Sequence, residues 1–193
     1  MAFFKVAEGD RNQRAAIRQR LSGIEAISAK LRKDIITAWV SVWTSSTYND
    51  IDAAPYSPTV PNYRLMDHVN DVIEVGMSLA QAAEMRWNVK VDPDELYAIL
   101  ALHDLDKPLL YERKADRIEK TPLYAQVPHG VVAGFLLRDL GFSDVVVATV
   151  TTHAVNAPFH GSNAEAWILH YADMFSSDKI LPDANQTPFY MRH

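Results

Sequence analysis

The chain has 193 residues, of which 48% are hydrophobic, so it is long enough to bury a substantial core within one domain. Its formal net charge of −5 argues against extended nucleic acid as a partner, because such binding depends on positive charge. The absence of cysteine excludes disulfides, thiolate metal sites and cysteine nucleophiles.

The ends and the hydropathy of the chain indicate no membrane partner. No stretch approaches the roughly 18 consecutive apolar residues of a membrane span. The first residues, MAFFKVAEGDRNQR, become charged too early for a signal peptide. We therefore expect a soluble, cytoplasmic protein that forms a single domain over residues 1–193.

Helical periodicity dominates the first half of the sequence. Residues 10–44 predict one or two helices, so the segment 1–48 should pack as N-terminal helices on a bundle, with a homo-oligomer contact as the open alternative. Turn-forming residues and three prolines predict a loop over 45–62. Apolar residues at i, i+3/i+4 spacing predict a helix over 63–87. The helix predicted over 93–103 is apolar nearly all round and should be buried.

The second half is more broken. Residues 105–128 are charged and contain three prolines, which predicts a long loop with a helical turn near 112–119. A helix should follow over 129–140 and end at Gly141. Ser143 should cap another helix, although its VVVATV run could also form a buried strand.

The last predicted helix covers about 163–177 and begins with an S-x-x-E capping pattern formed by Ser162 and Glu165. The polar tail after Pro182 should be peripheral. These elements predict an all-α domain, a bundle of about six or seven helices.

Six polar residues lie at ends or inward faces of these helices, in an order that suggests a metal site. Four imidazoles and two carboxylates suit one or two divalent transition-metal ions, namely iron, manganese, zinc, cobalt or nickel. These candidate metal ligands are His68, His103, Asp104, His129, His153 and Asp173.

The order H…HD…H…H…D resembles the HD-domain superfamily of metal-dependent phosphohydrolases, in which an all-α bundle carries the ligands on separate helices. The resemblance covers residues 60–180, and the stretches YRLMDHV and GSNAEAWILHYADMFSSD are similar to ligand-bearing segments of that superfamily. The resemblance implies that the core metal ligands are His68, His103, Asp104 and Asp173. Members with two metals have two further histidines, which match His129 and His153.

The residues after the His-Asp pair mark a departure. Two-metal members often continue HD-x-G-K, whereas this chain reads HDLDK, with Asp106 in place of the glycine and Lys107 matching the lysine. The GYP tripeptide of the cyclic-dinucleotide phosphodiesterases is absent, and Ala154 follows His153 where that group has a second histidine. That subgroup is therefore disfavoured.

Each candidate also has a simpler interpretation. A lone histidine on an apolar face usually packs in the core, and His129 and His153 could be exposed histidines at helix ends. Lys107 could be a surface lysine before a proline, and the charged stretch 112–120 could be a solvated face rather than a lid. His170 could support Asp173 or simply pack.

The resemblance implies hydrolysis of a phosphate ester by metal-activated water, with a small-molecule phosphate ester or nucleotide as substrate. Asp104 would bridge two ions and Lys107 would stabilise developing charge, so these two are the candidate catalytic residues. A di-iron oxygenase acting on a small organic substrate is one alternative, because some HD-domain proteins use the same ligands. A non-catalytic nucleotide sensor is the other.

Overall fold

The computed structural model describes residues 3–115, 117–154 and 161–192. Within these ranges the chain forms eight α-helices, one of them a single turn, and two short antiparallel hairpins. The helices are α1 Arg11–Arg20, α2 Ala29–Ser45, α3 Leu65–Trp87, α4 Pro93–Leu102, α5 Lys107–Leu110, α6 Val131–Asp139, α7 Asp144–Thr152 and α8 Ala164–Asp178. The strands are β1 Pro55–Ser57, β2 Val60–Arg64, β3 Tyr111–Lys114 and β4 Arg117–Lys120. The predicted all-α class is confirmed.

Helix α4 lies at the centre of the bundle, as its all-round apolar sequence predicts. Every residue from 96 to 102 is buried, and α2, α3, α7 and α8 pack around it. Asp92 caps its start by accepting from two backbone N–H groups, and Pro93 occupies the first turn. Trp39 of α2 is fully buried and its Nε1 donates to the Ala101 carbonyl at 3.1 Å. The end of α4 is therefore held inside the core.

Two glycines allow helices to approach closely near α4. A Cβ on Gly76 of α3 would lie 2.5 Å from Leu100 Cδ2, and one on Gly134 of α6 would lie 2.0 Å from Thr151 Oγ1. These contacts set α3 against α4 and α6 against α7. Helix α8 packs along α3, which brings the last acidic candidate towards the first histidine.

Three local predictions are wrong. Residues 45–62 contain most of the β1–β2 hairpin, and the turn predicted near 112–119 is the β3–β4 hairpin, in which Tyr111 pairs with Lys120. Helix α8 is capped by Asn163, whose side chain accepts from Ala166 N, rather than by the predicted S-x-x-E pattern. The VVVATV run is helical in α7, as the first of its two interpretations predicted.

None of the helices within the described ranges has the length and apolarity that crossing a bilayer requires.

Candidate metal centre

Five separate parts of the chain bring the six candidate ligands together. His68 lies in the first turn of α3, the His-Asp pair follows α4 directly, and Asp173 lies on α8. His129 precedes α6, and His153 is the C-terminal cap of α7. Histidine and carboxylate ligands thus converge from positions up to 105 residues apart, and only the fold brings them into contact.

Asp104 lies at the centre of this cluster, and its side chain is 2% exposed. Its Oδ2 lies 3.4 Å from His68 Nε2 and 3.4 Å from His103 Nε2. Its Oδ1 lies 2.9 Å from His129 Nε2 and 3.7 Å from His153 Nε2. One carboxylate therefore presents each oxygen to a different pair of histidines.

Asp173 extends the first of these two groups. Its Oδ1 lies 3.2 Å from His68 Nε2, and Ser177 Oγ donates to the same oxygen at 3.4 Å. Ser177 Oγ is in turn 2.7 Å from the hydroxyl of Tyr56, on the β1–β2 hairpin. The Tyr56 ring lies against His68, with 4.2 Å between ring centroids. The hairpin that the sequence predicted as a loop therefore forms one wall of the site.

Three histidines are fixed with Nε2 facing the cluster, because Nδ1 of each bonds to an oxygen acceptor. Nδ1 of His103 donates to the Leu100 carbonyl at 2.8 Å, and Nδ1 of His153 donates to the Val150 carbonyl at 2.7 Å. Each is the carbonyl three residues earlier, one of the groups that a helix end leaves without an intrahelical partner. Nδ1 of His129 donates to Asp106 Oδ1 at 2.7 Å. Outer hydrogen bonds of this kind orient metal-binding imidazoles.

The two carboxylates stay ionised in spite of their burial. Burial alone would raise the pKa of Asp104, but Lys107 and His103 hold that pKa well below its usual range. Burial likewise opposes ionisation of Asp173, and His68 and His103 lower its pKa below the ordinary value. The centre is therefore anionic when its histidines are neutral, which suits cations.

The histidines divide by environment. Burial lowers the pKa of His68 and of His153 below the ordinary value. Burial also opposes the charge of His129, but Asp106 and Asp104 outweigh it and raise its pKa to about 10. Without a cation, His129 thus carries a proton between two carboxylates, and a bound ion would take the place of that proton on Nε2.

The donor set fits transition-metal ions. Ligand atoms that share an ion at about 2.1 Å lie about 3.0–3.4 Å apart, close to most of the separations around Asp104. Two groups of three mutually close ligands share Asp104, one with His68 and His103 and the other with His129 and His153. Asp104 Oδ2 is buried without a well-directed hydrogen bond among the described residues, although Lys107 Nζ lies 2.5 Å away. A buried carboxylate oxygen with no other partner of this kind has the chemistry to accept a metal ion.

Lys107 and Asp106 lie beside the ligands. Lys107 is 8% exposed, and its Nζ lies 3.8 Å from the centroid of the Tyr56 ring as well as against Asp104. The simpler interpretation of Lys107 as a surface residue is wrong. Asp106 is fully buried, and Oδ2 accepts from Gly130 N at 2.8 Å. The sequence singled out Asp106 only as a departure from the HD-x-G-K motif. No pattern in the sequence indicated that Tyr56 would lie at the site.

A cleft of about 510 Å³ opens beside His129, between the segment 124–128 and the end of α7. His129 has the most exposed side chain of the six candidates, at 21%. Tyr124 lines this cleft, and Lys120 Nζ lies 3.9 Å from the centroid of its ring. Of the six candidates, His129 is the one that lines this cleft.

Among the described residues, His170 is the one histidine outside the two ligand groups. The ring of His170 packs against Tyr171, with 5.6 Å between ring centroids. His160, considered as a loop histidine near the pocket, lies outside the described residues.

One curated protein is similar in sequence. A dihydroneopterin 2',3'-cyclic phosphate phosphodiesterase from Methanocaldococcus jannaschii is 30% identical to this chain over 110 residues. The match covers 56% of this chain and 44% of the relative, so the chain corresponds to less than half of that protein's length. No family model and no solved structure matches the chain.

Proposed function

We propose that the protein is a metal-dependent phosphodiesterase of the HD-domain superfamily, and that its six clustered residues hold two divalent transition-metal ions. The observation that carries the proposal is Asp104, whose two oxygens face two different pairs of histidines. The order of these ligands resembles that superfamily, and the similar curated protein is named as a phosphodiesterase.

Bound ions would lower the pKa of coordinated water and neutralise phosphoryl oxygens. Asp104 would bridge the two ion positions through its separate oxygens, and Asp173 would complete the group at His68. Burial of these side chains removes bulk water and strengthens every charge interaction in the site.

Lys107 is the cation that the chain itself supplies to the substrate. Its Nζ is held between Asp104 and the Tyr56 ring, so it is positioned before a substrate arrives. A preorganised positive charge at this position would stabilise negative charge that develops on the phosphoryl oxygens.

We further propose a small-molecule phosphodiester as the substrate class, with its organic group in the cleft beside His129. The ring of Tyr124 lines the cleft, and the ammonium group of Lys120 lies against that ring. The name of the similar protein also specifies a small-molecule substrate, a cyclic phosphate of dihydroneopterin.

The direct test is turnover by the purified protein loaded with manganese, iron, cobalt, nickel or zinc. Substrates should include bis(4-nitrophenyl) phosphate, 2',3'-cyclic nucleotides and dihydroneopterin 2',3'-cyclic phosphate. We expect hydrolysis by the wild type, strong loss in Asp104→Asn and no change in Asp139→Asn, an exposed aspartate at the end of α6. The absence of hydrolysis with every metal would contradict the proposal.

The two alternative functions predict different outcomes. A di-iron oxygenase would consume dioxygen in the iron-loaded form and hydrolyse none of these esters. A non-catalytic sensor would bind a nucleotide without turnover, and its cellular role would survive Asp104→Ala.

A further inference from the structure

We infer that Asp106 is the positioning residue of the ion site formed by Asp104, His129 and His153. The inference rests on the proposed function and deepens it, because it assigns a role to a residue that the ligand pattern does not include. Its basis is the contact between Asp106 and His129.

Asp106 accepts two hydrogen bonds from a single turn, one from the His129 ring and one from the Gly130 backbone. Oδ1 accepts from His129 Nδ1 at 2.7 Å, and Oδ2 accepts from Gly130 N at 2.8 Å. The residue is fully buried. A buried carboxylate is costly unless it is paired, so both oxygens are used to fix the position of the turn that carries His129.

His129 differs from the histidines that end helices. His103 and His153 cap α4 and α7, and each donates through Nδ1 to a helix-end carbonyl. His129 lies before α6, and its Nδ1 bonds to a side chain instead. Asp106 therefore does for His129 what the helix ends do for the other two imidazoles.

Gly130 makes this arrangement rigid. Its φ is +90°, and a Cβ there would lie 2.7 Å from the Val150 carbonyl oxygen, so the turn fits closely against α7. With the backbone fixed and Nδ1 bonded to Asp106, Nε2 of His129 is aimed at Asp104 Oδ1. A carboxylate partner also increases the basicity of the imidazole as a ligand.

The consequence concerns one ion site rather than both. Loss of an outer hydrogen-bond partner typically weakens metal affinity by about 10–100-fold. Within the described ranges, both hydrogen bonds to the Asp106 carboxylate come from the His129 turn, so its loss should weaken that ion and leave the ion at His68 and His103 in place. The departure from HD-x-G-K at this position thus has a structural purpose.

The test compares metal binding by the wild type, Asp106→Ala and Asp106→Asn. Ions per chain would be measured by mass spectrometry after dialysis, and the two affinities by calorimetric titration with Mn²⁺. Absorption of the Co²⁺-loaded proteins would report ligand geometry. Glu165→Gln is the matched control, because Glu165 is a buried carboxylate that accepts from Asp92 N away from the cluster.

We expect two ions in the wild type and in Glu165→Gln. In Asp106→Ala, one affinity should fall about 10–100-fold and the other should stay the same. Asp106→Asn should lose less, because an amide oxygen can still accept from Nδ1. Adding Asp106→Ala to His129→Ala should cause no further loss, since the two residues act through one contact.

Unchanged affinity at both sites of Asp106→Ala, or an equal fall at both, would overturn the inference. If Asp106→Ala does not fold by circular dichroism, the same criterion applies to Asp106→Asn. A wild type that binds fewer than two ions would overturn the inference together with the two-ion site. Two bound ions without phosphodiester turnover would overturn only the proposed function.

Discussion

Five consecutive residues, His103 to Lys107, have five different environments within one turn of chain. His103 is aimed at the cluster from the end of α4, and Asp104 lies between the histidine pairs. Leu105 is fully buried in the core and anchors the segment. Asp106 holds His129, and Lys107 neutralises Asp104. A substitution at any of these positions should therefore have its own signature.

Replacing Lys107 with methionine should separate charge stabilisation from metal binding. Methionine keeps a long apolar side chain but removes the positive charge and its contact with the Tyr56 ring, so we expect kcat for a phosphodiester to fall roughly 10²–10³-fold. Metal content should stay at the wild-type level, because the six ligands are retained. Steady-state kinetics and metal analysis on the same sample measure both quantities.

Lys114→Met is the control for this change, because Lys114 is an exposed lysine on β3 that pairs with Glu112. Equal kcat values for Lys107→Met and the wild type would show that Lys107 serves only the folded structure.

At the scale of elements, short irregular segments position the site as much as the helices do. The β1–β2 hairpin places Tyr56 against His68 and Lys107. The turn before α6 places His129. Two pairs of closely packed helices, α3 with α4 and α6 with α7, bring together the two histidines within each pair.

Gly130→Ala should disturb the His129 turn through both backbone and packing. The positive φ costs an alanine roughly 1–2 kcal/mol, and the new Cβ would collide with the Val150 carbonyl. Gly141→Ala is a matched control, since Gly141 also has a positive φ but has no atom within 4 Å of an added Cβ.

We expect urea unfolding to show a larger loss of stability for Gly130→Ala than for Gly141→Ala. Only Gly130→Ala should also weaken metal binding. Equal effects of the two changes would mean that the close approach of Gly130 to α7 contributes neither to stability nor to metal binding.

Tyr124→Ala should test the cleft beside His129. Loss of an aromatic contact made equally in the ground state and the transition state raises KM and leaves kcat unchanged. We expect KM to rise roughly 5–10-fold, in line with the usual size of aromatic contacts. The control is Tyr171→Ala, in an exposed groove formed by α3 and α8, which should leave KM and kcat unchanged. A fall in kcat for Tyr124→Ala would contradict this role and place Tyr124 at the reacting phosphate.

At the scale of the whole molecule, the six proposed ligands come from five parts of the chain, so metal binding and folding should be coupled. An ion that binds only the folded state stabilises it by about 2.7 kcal/mol at a free concentration of 100 times Kd. We expect a clear rise in Tm when metal is added to chelator-treated protein. The rise should vanish in Asp104→Ala, and its persistence there would place the ions elsewhere.

The long helices could be predicted from the sequence because they show apolar periodicity and end signals, as α3 and α4 do, whereas the single turn α5 lies in a segment predicted as a loop. The six candidate ligands could be singled out because their order resembles a superfamily pattern, and their binding of metal stays a prediction. The hairpins could not, because strands of three to five residues have no period long enough to detect. The partnership of Asp106 with His129 depends on how two turns 23 residues apart meet in the fold.

The central claim is that Asp104 is shared by two ion sites, and the number of ions per chain tests it most directly. His68→Ala and His153→Ala should each lose one ion of the two, because each histidine belongs to one group. Asp104→Ala should lose both, as the only ligand common to the two groups. If Asp104→Ala retained two ions, or if either histidine variant lost both, the shared-carboxylate centre would be contradicted.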